Sequence, residues 1–187
     1  MRADAQKNYD HLLETARGVF AEQGADASLR DVARRADVGL GTLYRHFPTR
    51  EALFDALLRR SFDALTTRAG ELETTDPADV ALVAWLREIV AVANSLRGVI
   101  ATMVAAIAEP DSALHASCVT MKASGARLLS RAQDEGLARN DLDGADLFAL
   151  VGALTWLNDQ PSLAPRADHL FNVIAGAILI NPRPADA

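Results

Sequence analysis

Apolar residues recur at intervals of three and four along most of the chain, and this spacing restricts the fold more than any other feature. An early example is the set Leu12, Leu13, Ala16, Val19 and Phe20. Such spacing places apolar side chains on one face of an α-helix. Aromatic residues make up only 5% of the chain, so the core must consist mainly of Ala, Leu and Val, which favours close-packed helices. The sequence therefore predicts an all-α protein of about nine helices, since no segment shows the strict alternation of a strand.

The sequence excludes several classes of protein. Cys118 is the single cysteine, so a secreted domain held together by internal disulfides is excluded. The N-terminus lacks the apolar segment of a signal peptide. The longest apolar run, residues 99–108, is shorter than the ~18 residues of a membrane span, so we expect a cytoplasmic protein with no membrane partner. The histidines share no metal-ligand spacing and no catalytic or nucleotide-binding motif is present, so we expect no metal, no cofactor and no catalytic residue.

The distribution of charge differs between the two ends of the chain. The formal net charge is −6, which by itself argues against a nucleic-acid partner. Residues 1–60, however, hold ten basic and nine acidic residues, whereas residues 61–187 hold nine and sixteen. Residues 28–50 alone carry five arginines against two aspartates. Because local charge is what a phosphate senses at physiological salt, we expect a polyanion-binding N-terminal part on an acidic body.

Three short helices in the first 47 residues predict a helix-turn-helix. Residues 28–31 have the pattern of a capping box, in which the Ser28 oxygen caps the second helix and the acid reaches back. Residues 37–39 interrupt the helical pattern, and a third helix follows over residues 40–47 before Pro48 ends it. Two helices joined by a turn of three or four residues are typical of this DNA-binding unit.

The spacing within the third helix also predicts which side chains face outward. Leu43 and Phe47 are expected to anchor the helix in the core. The opposite side then presents Gly41, Thr42, Arg45 and His46. Thr42 offers a hydroxyl and a methyl group, and Arg45 offers a planar fork that suits phosphate or guanine. This helix is therefore predicted to enter the major groove.

Residues 28–53, SLRDVARRADVGLGTLYRHFPTREAL, resemble the TetR/AcrR family of transcriptional regulators. The resemblance depends on residues 31–33, 41–44 and 46–47, which fall at the family's spacing, and it extends over residues ~8–55. Two positions depart from the family pattern: Asp37 stands where Gly is common, and Gly39 stands where Ser is common. Asp tolerates a left-handed turn less freely than Gly, and Gly caps a helix almost as well as Ser.

The resemblance implies a role for each matching position. Ser28 caps the second helix and contacts phosphate, and Arg50 takes the place of a phosphate-binding lysine. Tyr44 and His46 are implied to contact the DNA backbone. The full set of implied DNA-binding residues is Ser28, Leu40, Gly41, Thr42, Tyr44, Arg45, His46 and Arg50. For Tyr44 and Leu40, packing in the core is the alternative.

The family's organisation implies two functional regions. Residues 1–48 form the helix-turn-helix domain, whose family boundary extends to about residue 66, and residues 49–187 form a helical body for effector binding and dimerisation. The effector is expected to be a hydrophobic or amphipathic small molecule. Candidate pocket residues are Trp85, Ile89, Met103, Ile107, His115, Cys118, Met121 and Trp156. Each of these side chains could instead be part of the core.

A homodimer is expected because one helix-turn-helix makes too few contacts for a specific operator. In the family the last two helices form a four-helix bundle between subunits. The candidate interface residues are Leu147, Val151, Leu154, Thr155, Leu170, Val173, Ile174, Ala177 and Ile178. The alternatives are that these stripes complete the core of the single chain, or that they serve both the core and the interface.

The sequence thus favours a dimeric repressor that binds a palindromic operator in double-stranded DNA and is released by an effector. Two other functions stay open at this point. A helix-turn-helix can serve protein contacts alone, and an all-helical enzyme can share this fold.

Overall fold

The computed structural model describes the backbone of residues 2–180 and the side chains of residues 6–180. Within these residues the chain forms ten α-helices and no β-strand, apart from one isolated bridge between Ala138 and Leu179. The all-α prediction is confirmed. The helices are α1 (Arg2–Gln23), α2 (Leu29–Arg35), α3 (Leu40–His46), α4 (Arg50–Thr75), α5 (Ala78–Ser95), α6 (Arg97–Thr102), α7 (Val104–Ala108), α8 (Ala113–Asp134), α9 (Gly144–Asp159) and α10 (Ala167–Ile178), with a short 3-10 helix at Ala164–Arg166.

The helix expected over residues 99–108 is divided into α6 and α7. Met103 has φ −100° and ψ 8°, which lies outside the α-helical region. Its N–H still bonds to the carbonyls of Val99 (3.1 Å) and Ile100 (3.0 Å). The helix is therefore interrupted while the N–H of Met103 stays paired, and the number of helices in the described residues rises to ten.

The described chain divides into two compact units, with boundaries inside α4, at the last residue of α5 and inside α8. The first unit contains the residues up to Ser61 together with Ser95–Cys118. Its core includes the predicted apolar face of α1, all of it buried. The rings of Phe20 and Phe54 meet edge to face, with their centroids 5.0 Å apart. This packing fixes α1 and the start of α4, between which α2 and α3 lie in the sequence.

The second unit contains Phe62–Asn94 together with the residues from Val119 onwards. Its centre is Trp85, whose ring is fully buried and whose indole N–H donates to the carbonyl of Leu65 (2.9 Å). Gly125 lies against this ring, and a Cβ at that position would collide with it. The ring of Phe148 meets the indole edge to face at 6.0 Å. Close packing of α5, α8 and α9 around one aromatic ring thus requires the glycine.

A helix that spans a bilayer needs about 20 consecutive residues of predominantly apolar character. None of the described helices combines the length and the apolar character needed to cross a bilayer.

Candidate nucleic-acid interface

The N-terminus of α2 is capped as predicted by Ser28, but the capping box is incomplete. The Ser28 hydroxyl accepts a hydrogen bond from the backbone N–H of Arg30 (3.1 Å). The Asp31 carboxylate does not reach back to the cap. It accepts instead from the guanidinium of Arg34, one turn further along (2.9 Å), because a charged partner on the same helix face is within easier reach of its short side chain.

The turn between α2 and α3 accommodates both departures from the family pattern. Asp37 adopts φ 53°, the left-handed conformation that Asp tolerates better than most residues. The N–H of Val38 closes the turn by donating to the carbonyl of Ala33 (3.0 Å). Gly39 is the extended residue before α3 and supplies no side-chain cap. The turn therefore forms with Asp37 and Gly39 in place of Gly and Ser.

The orientation of α3 agrees with the predicted spacing. Leu43 and Phe47 are buried, with 0% and 2% of their surface exposed, and so anchor the helix as expected. Tyr44 is 45% exposed, so it is not a core ring. Of the other predicted positions, Gly41 and Arg45 are exposed and Leu40, Thr42 and His46 are half-buried.

The guanidinium of Arg45 lies along its own helix. It donates to the Thr42 hydroxyl (2.9 Å) and to the carbonyl of Gly41 (3.3 Å). Among the described residues, no carboxylate pairs with Arg45. Its positive charge is thus held at the outer surface of α3 by neutral groups, where it stays available to an anionic partner.

The ring of His46 packs on the first helix. Its centroid lies 6.0 Å from that of Tyr9, which in turn lies 5.0 Å from the ring of Phe47. This small aromatic cluster fixes the C-terminal end of α3 against α1.

A surface hollow brings several of the predicted residues together. It has a volume of about 490 Å³ and is lined by Ser28, Leu29, Arg30, Leu40, Tyr44, Pro48, Thr49 and Arg50. Two polar residues in this lining were not predicted from the sequence, namely Arg30 and Thr49. The hydroxyl of Thr49 caps α4 by accepting from the N–H of Ala52 (3.0 Å).

The side chain of Arg30 differs from the neighbouring arginines of α2 in having no acidic partner among the described residues. Arg34 pairs with Asp31 (2.9 Å) and Arg35 pairs with Glu22 (2.6 Å), whereas Arg30 forms no ion pair with any described residue. The position of Arg30 could have marked it as a candidate from the sequence, because a cation in the first turn of a helix opposes the helix dipole. An unfavourable position of this kind is expected where function requires the charge.

Arg50 does more than line the hollow. One of its terminal nitrogens donates to the carbonyls of Ala25 (2.6 Å) and Ala27 (2.9 Å). The guanidinium carbon also lies 5.8 Å from the centre of the Phe54 ring. Arg50 therefore fastens the start of α4 to the loop between α1 and α2. A contact of Arg50 with phosphate stays a prediction.

The eight candidate effector residues are divided equally between the two compact units. Trp85, Ile89, Met103, Cys118 and Met121 are buried, and Ile107 and His115 are half-buried. The imidazole Nδ1 of His115 lies 2.9 Å from the carbonyl of Ile107. Trp156 is 61% exposed, so it does not line an interior cavity of the folded single chain, contrary to expectation. For the other seven residues an effector role stays a prediction.

The predicted dimer stripe of α9 faces the inside of the molecule. Leu147, Val151 and Leu154 are buried, and so is Ile178 of α10. These four side chains complete the core of the chain, which was the alternative, and they are not accessible to a second copy. Thr155, Leu170 and Ile174 are half-buried, whereas Ala177 is exposed and Val173 is 53% exposed.

The opposite face of α9 is exposed and largely apolar. It consists of Ala145, Ala149, Gly152, Ala153 and Trp156, which recur at intervals of three and four and so share one side of the helix. Ile180, just beyond α10, is also exposed. On α9 the accessible apolar surface is therefore centred on different residues from those expected, whereas on α10 the expected residues Val173 and Ala177 are exposed.

Comparison with known proteins identifies both regions of the chain. Residues 12–57 match the family model described as bacterial regulatory proteins, tetR family. Residues 76–176 match the model described as the C-terminal domain of SbtR-like transcriptional regulators. The second match alone covers more than half of the chain.

Individual relatives agree with these matches. An HTH-type transcriptional regulator of Staphylococcus aureus (strain USA300) is 32% identical over 74 residues, and the aligned segment spans 39% of this chain and 40% of that protein. The crystal structure of the TetR transcriptional regulator SCO0520 from Streptomyces coelicolor is similar, with a TM-score of 0.76, 30% identity, and coverage of 93% of this chain and 99% of that one. A TetR transcription regulatory protein from Mycobacterium vanbaalenii has a TM-score of 0.71 and 28% identity over 96% of this chain and 99% of that one. This chain belongs to the TetR family of transcriptional regulators.

Proposed function

We propose that this protein binds a palindromic operator in double-stranded DNA as a homodimer in the cytoplasm, represses transcription there, and is released by a hydrophobic or amphipathic small molecule. The observation that carries the proposal is the exposed surface of α3, which presents Tyr44 and Arg45 while Leu43 and Phe47 hold the helix in the core. TetR-family regulators are non-enzymatic DNA-binding transcription factors, so family membership sets aside the all-helical enzyme.

The third helix is suited to the major groove, which admits a single α-helix. Arg45 presents its planar guanidinium beside Thr42 (2.9 Å), so a change of rotamer would direct the fork onto the N7 and O6 atoms of a guanine. Leu40 is half-buried at the start of α3, where its outer methyl group can contact a thymine methyl. These residues would supply the base contacts of each half-site.

The hollow beside α3 is suited to the DNA backbone. Its lining combines the guanidinium of Arg30 with the hydroxyl groups of Ser28, Tyr44 and Thr49. Phosphate contacts of this kind fix the orientation of a DNA-binding module and carry most of its salt dependence. Arg50 stabilises the same surface, because its guanidinium donates hydrogen bonds to the carbonyls of Ala25 and Ala27 in the loop before α2.

A two-fold dimer would place two copies of α3 about 34–36 Å apart, on successive turns of one face of the duplex. The exposed apolar residues of α9 and α10, including Trp156 and Val173, support pairing through these helices. Large apolar side chains that lie together on a surface commonly mark an interface.

Release by an effector follows from linkage. A ligand that stabilises a conformation of the body in which the two α3 helices are misplaced must weaken DNA binding by the same factor by which DNA weakens ligand binding. The long α4, 26 residues in length, is the continuous element through which such a change would reach the hollow.

Selection of bound sequences from random DNA duplexes, followed by titration of the selected site at several salt concentrations, tests the proposal. We expect two inverted half-sites about one helical turn apart and a slope of log K against log salt of about −5 or steeper, as six or more phosphate contacts require. A flat salt response, or no enrichment of any sequence, would refute DNA binding and favour a helix-turn-helix that serves protein contacts alone.

A further inference from the structure

A groove on the surface of the second unit lies beside the exposed face of α9. It has a volume of about 660 Å³ and is lined by Val119, Lys122, Ala123, Ala126, Gly144, Ala145, Phe148 and Ala149. The lining is mainly apolar, and Val119 is half-exposed to water. The Nζ atom of Lys122 lies 5.6 Å from the centre of the Phe148 ring and forms no ion pair with a described residue. The groove is thus apolar, with one unneutralised cation at its wall.

The same helix face carries an exposed aromatic side chain. Trp156 is 61% exposed, although an indole ring is among the side chains that bury most apolar surface when covered. It lies seven residues, or about two turns, after Ala149. The groove and the indole therefore lie on one face of α9, about 10 Å apart along its axis.

If two copies pair about a two-fold axis, the seven-residue spacing between Ala149 and Trp156 brings Trp156 of one copy to the groove of the other. In an antiparallel pair of helices related by a two-fold axis between Gly152 and Ala153, Trp156 of one copy lies opposite Ala149 of the other. The two central residues are small and exposed, so they permit close approach of the helices. The same two-fold operation places Trp156 of the second copy in the groove of the first. The dimer therefore contains two identical contacts between Trp156 and the groove.

We infer that Trp156 of each subunit inserts into the groove between α8 and α9 of a second copy of this chain, beside Lys122. The inference rests on the proposed homodimer and names its central contact. Lys122 is complementary to the occupant, because an ammonium group is attracted to the face of an indole ring. An interior pocket does not explain why Trp156 is exposed in the single chain. Insertion into the groove of a second copy does, because the indole is then covered in the dimer.

Replacement of Trp156 by Ala in the full-length chain tests the contact. The side chain is exposed in the single chain, so the variant should keep its helical circular dichroism. We expect the dimer dissociation constant, measured by sedimentation equilibrium, to rise about a hundredfold or more, because two buried aromatic contacts are lost together. Val80→Ala, which truncates an exposed apolar residue of α5, serves as the matched control and should leave the constant unchanged.

Lys122→Ala tests the cation. It should raise the dissociation constant severalfold in the natural sequence and leave it unchanged in the Trp156→Ala background, since the interaction partner is already absent. Equal effects in both backgrounds would overturn the assigned pairing of Lys122 with the indole.

Fluorescence supplies an independent measurement, because the chain has two tryptophans and Trp85 is buried in the single chain. Dilution below the dissociation constant should shift the emission to longer wavelength, and the shift should vanish in Trp156→Phe. A dimer whose constant is unchanged by Trp156→Ala would overturn the inference and leave the proposed dimer standing. A natural protein that is monomeric, or that grows into open assemblies with concentration, would refute both.

Discussion

Arg50 allows a sharp test of how the DNA-binding surface is held together. Arg50→Met keeps the aliphatic stem beside Phe54 but removes the donor that bonds to the carbonyls of Ala25 (2.6 Å) and Ala27 (2.9 Å). A hydrogen bond from a charged donor contributes about 1.5–3 kcal/mol. Because one nitrogen serves both carbonyls and water can reach this half-buried site, we expect the free energy of unfolding to fall by about 2 kcal/mol in all.

For a chain of this size, that loss corresponds to a decrease in Tm of about 4–8 °C. Thermal unfolding followed by circular dichroism measures it, at one fixed protein concentration because dimerisation also affects Tm. Arg34→Met is the matched control, since Arg34 is paired with Asp31 at the exposed surface of α2. Removal of such a surface pair should cost less than about 1 kcal/mol.

The same variant separates support from direct phosphate contact. If Arg50 acts by holding the loop between α1 and α2, Arg50→Met weakens operator binding while the slope of log K against log salt stays unchanged. A slope that becomes shallower by about one unit would show that Arg50 contacts phosphate itself. If the free energy of unfolding of Arg50→Met lies within about 0.5 kcal/mol of that of the natural protein, the role of Arg50 in holding the loop is refuted. Differences of this size are typical of neutral surface substitutions.

The other predictions concern binding and assembly. Arg45→Ala should cost about 1–3 kcal/mol in operator affinity and relax the preference at one base position, measured by titration against single-base variants of the operator; an unchanged affinity would exclude a base contact. Arg30→Ala should weaken specific and non-specific DNA equally and reduce the salt slope by about one unit, whereas Arg34→Ala should not alter that slope. Val173→Asp should place a charge in the paired helices and give monomers by light scattering, and a stable dimer would show that the interface lies elsewhere.

The DNA-binding unit could be predicted from the sequence because α3 is amphipathic. Leu43 and Phe47 are its large apolar anchors, and all three residues between them carry polar groups, so the spacing alone determines which side is buried. The turn at Asp37 is equally local, since its conformation depends on a few residues. Predictions of this type therefore agree with the structure.

The orientation of α9 could not be predicted in the same way. Residues 147–157 are apolar on almost every side of the helix, so spacing cannot distinguish the face that meets the core from the face that meets another subunit. The residues chosen, among them Leu147 and Val151, are the larger aliphatic ones, and size favours the interior. The small residues lie on the outer face, and Trp156 lies there too although its ring is the largest side chain of α9.

The role of Arg50 was hidden for a different reason. Its partners are the carbonyl oxygens of Ala25 and Ala27, which precede it by 25 and 23 residues. Backbone acceptors carry no sequence signature, so only the packing of α4 against the loop reveals them. Arg30 could not be singled out because α2 carries three arginines, and the sequence does not show which of them lacks an acidic partner.

The bond between Arg45 and Thr42 has a consequence for how the protein would search a genome. A guanidinium that is already satisfied on its own helix gains little from an arbitrary base pair, so it can stay folded back while the protein slides over unrelated DNA. The guanidinium leaves the helix surface favourably only when a new partner replaces both of the hydrogen bonds that it makes there. The edge of a guanine, with two acceptors side by side, is such a partner. The Arg45 guanidinium would then extend towards the DNA at the correct base step and stay bonded to its own helix elsewhere.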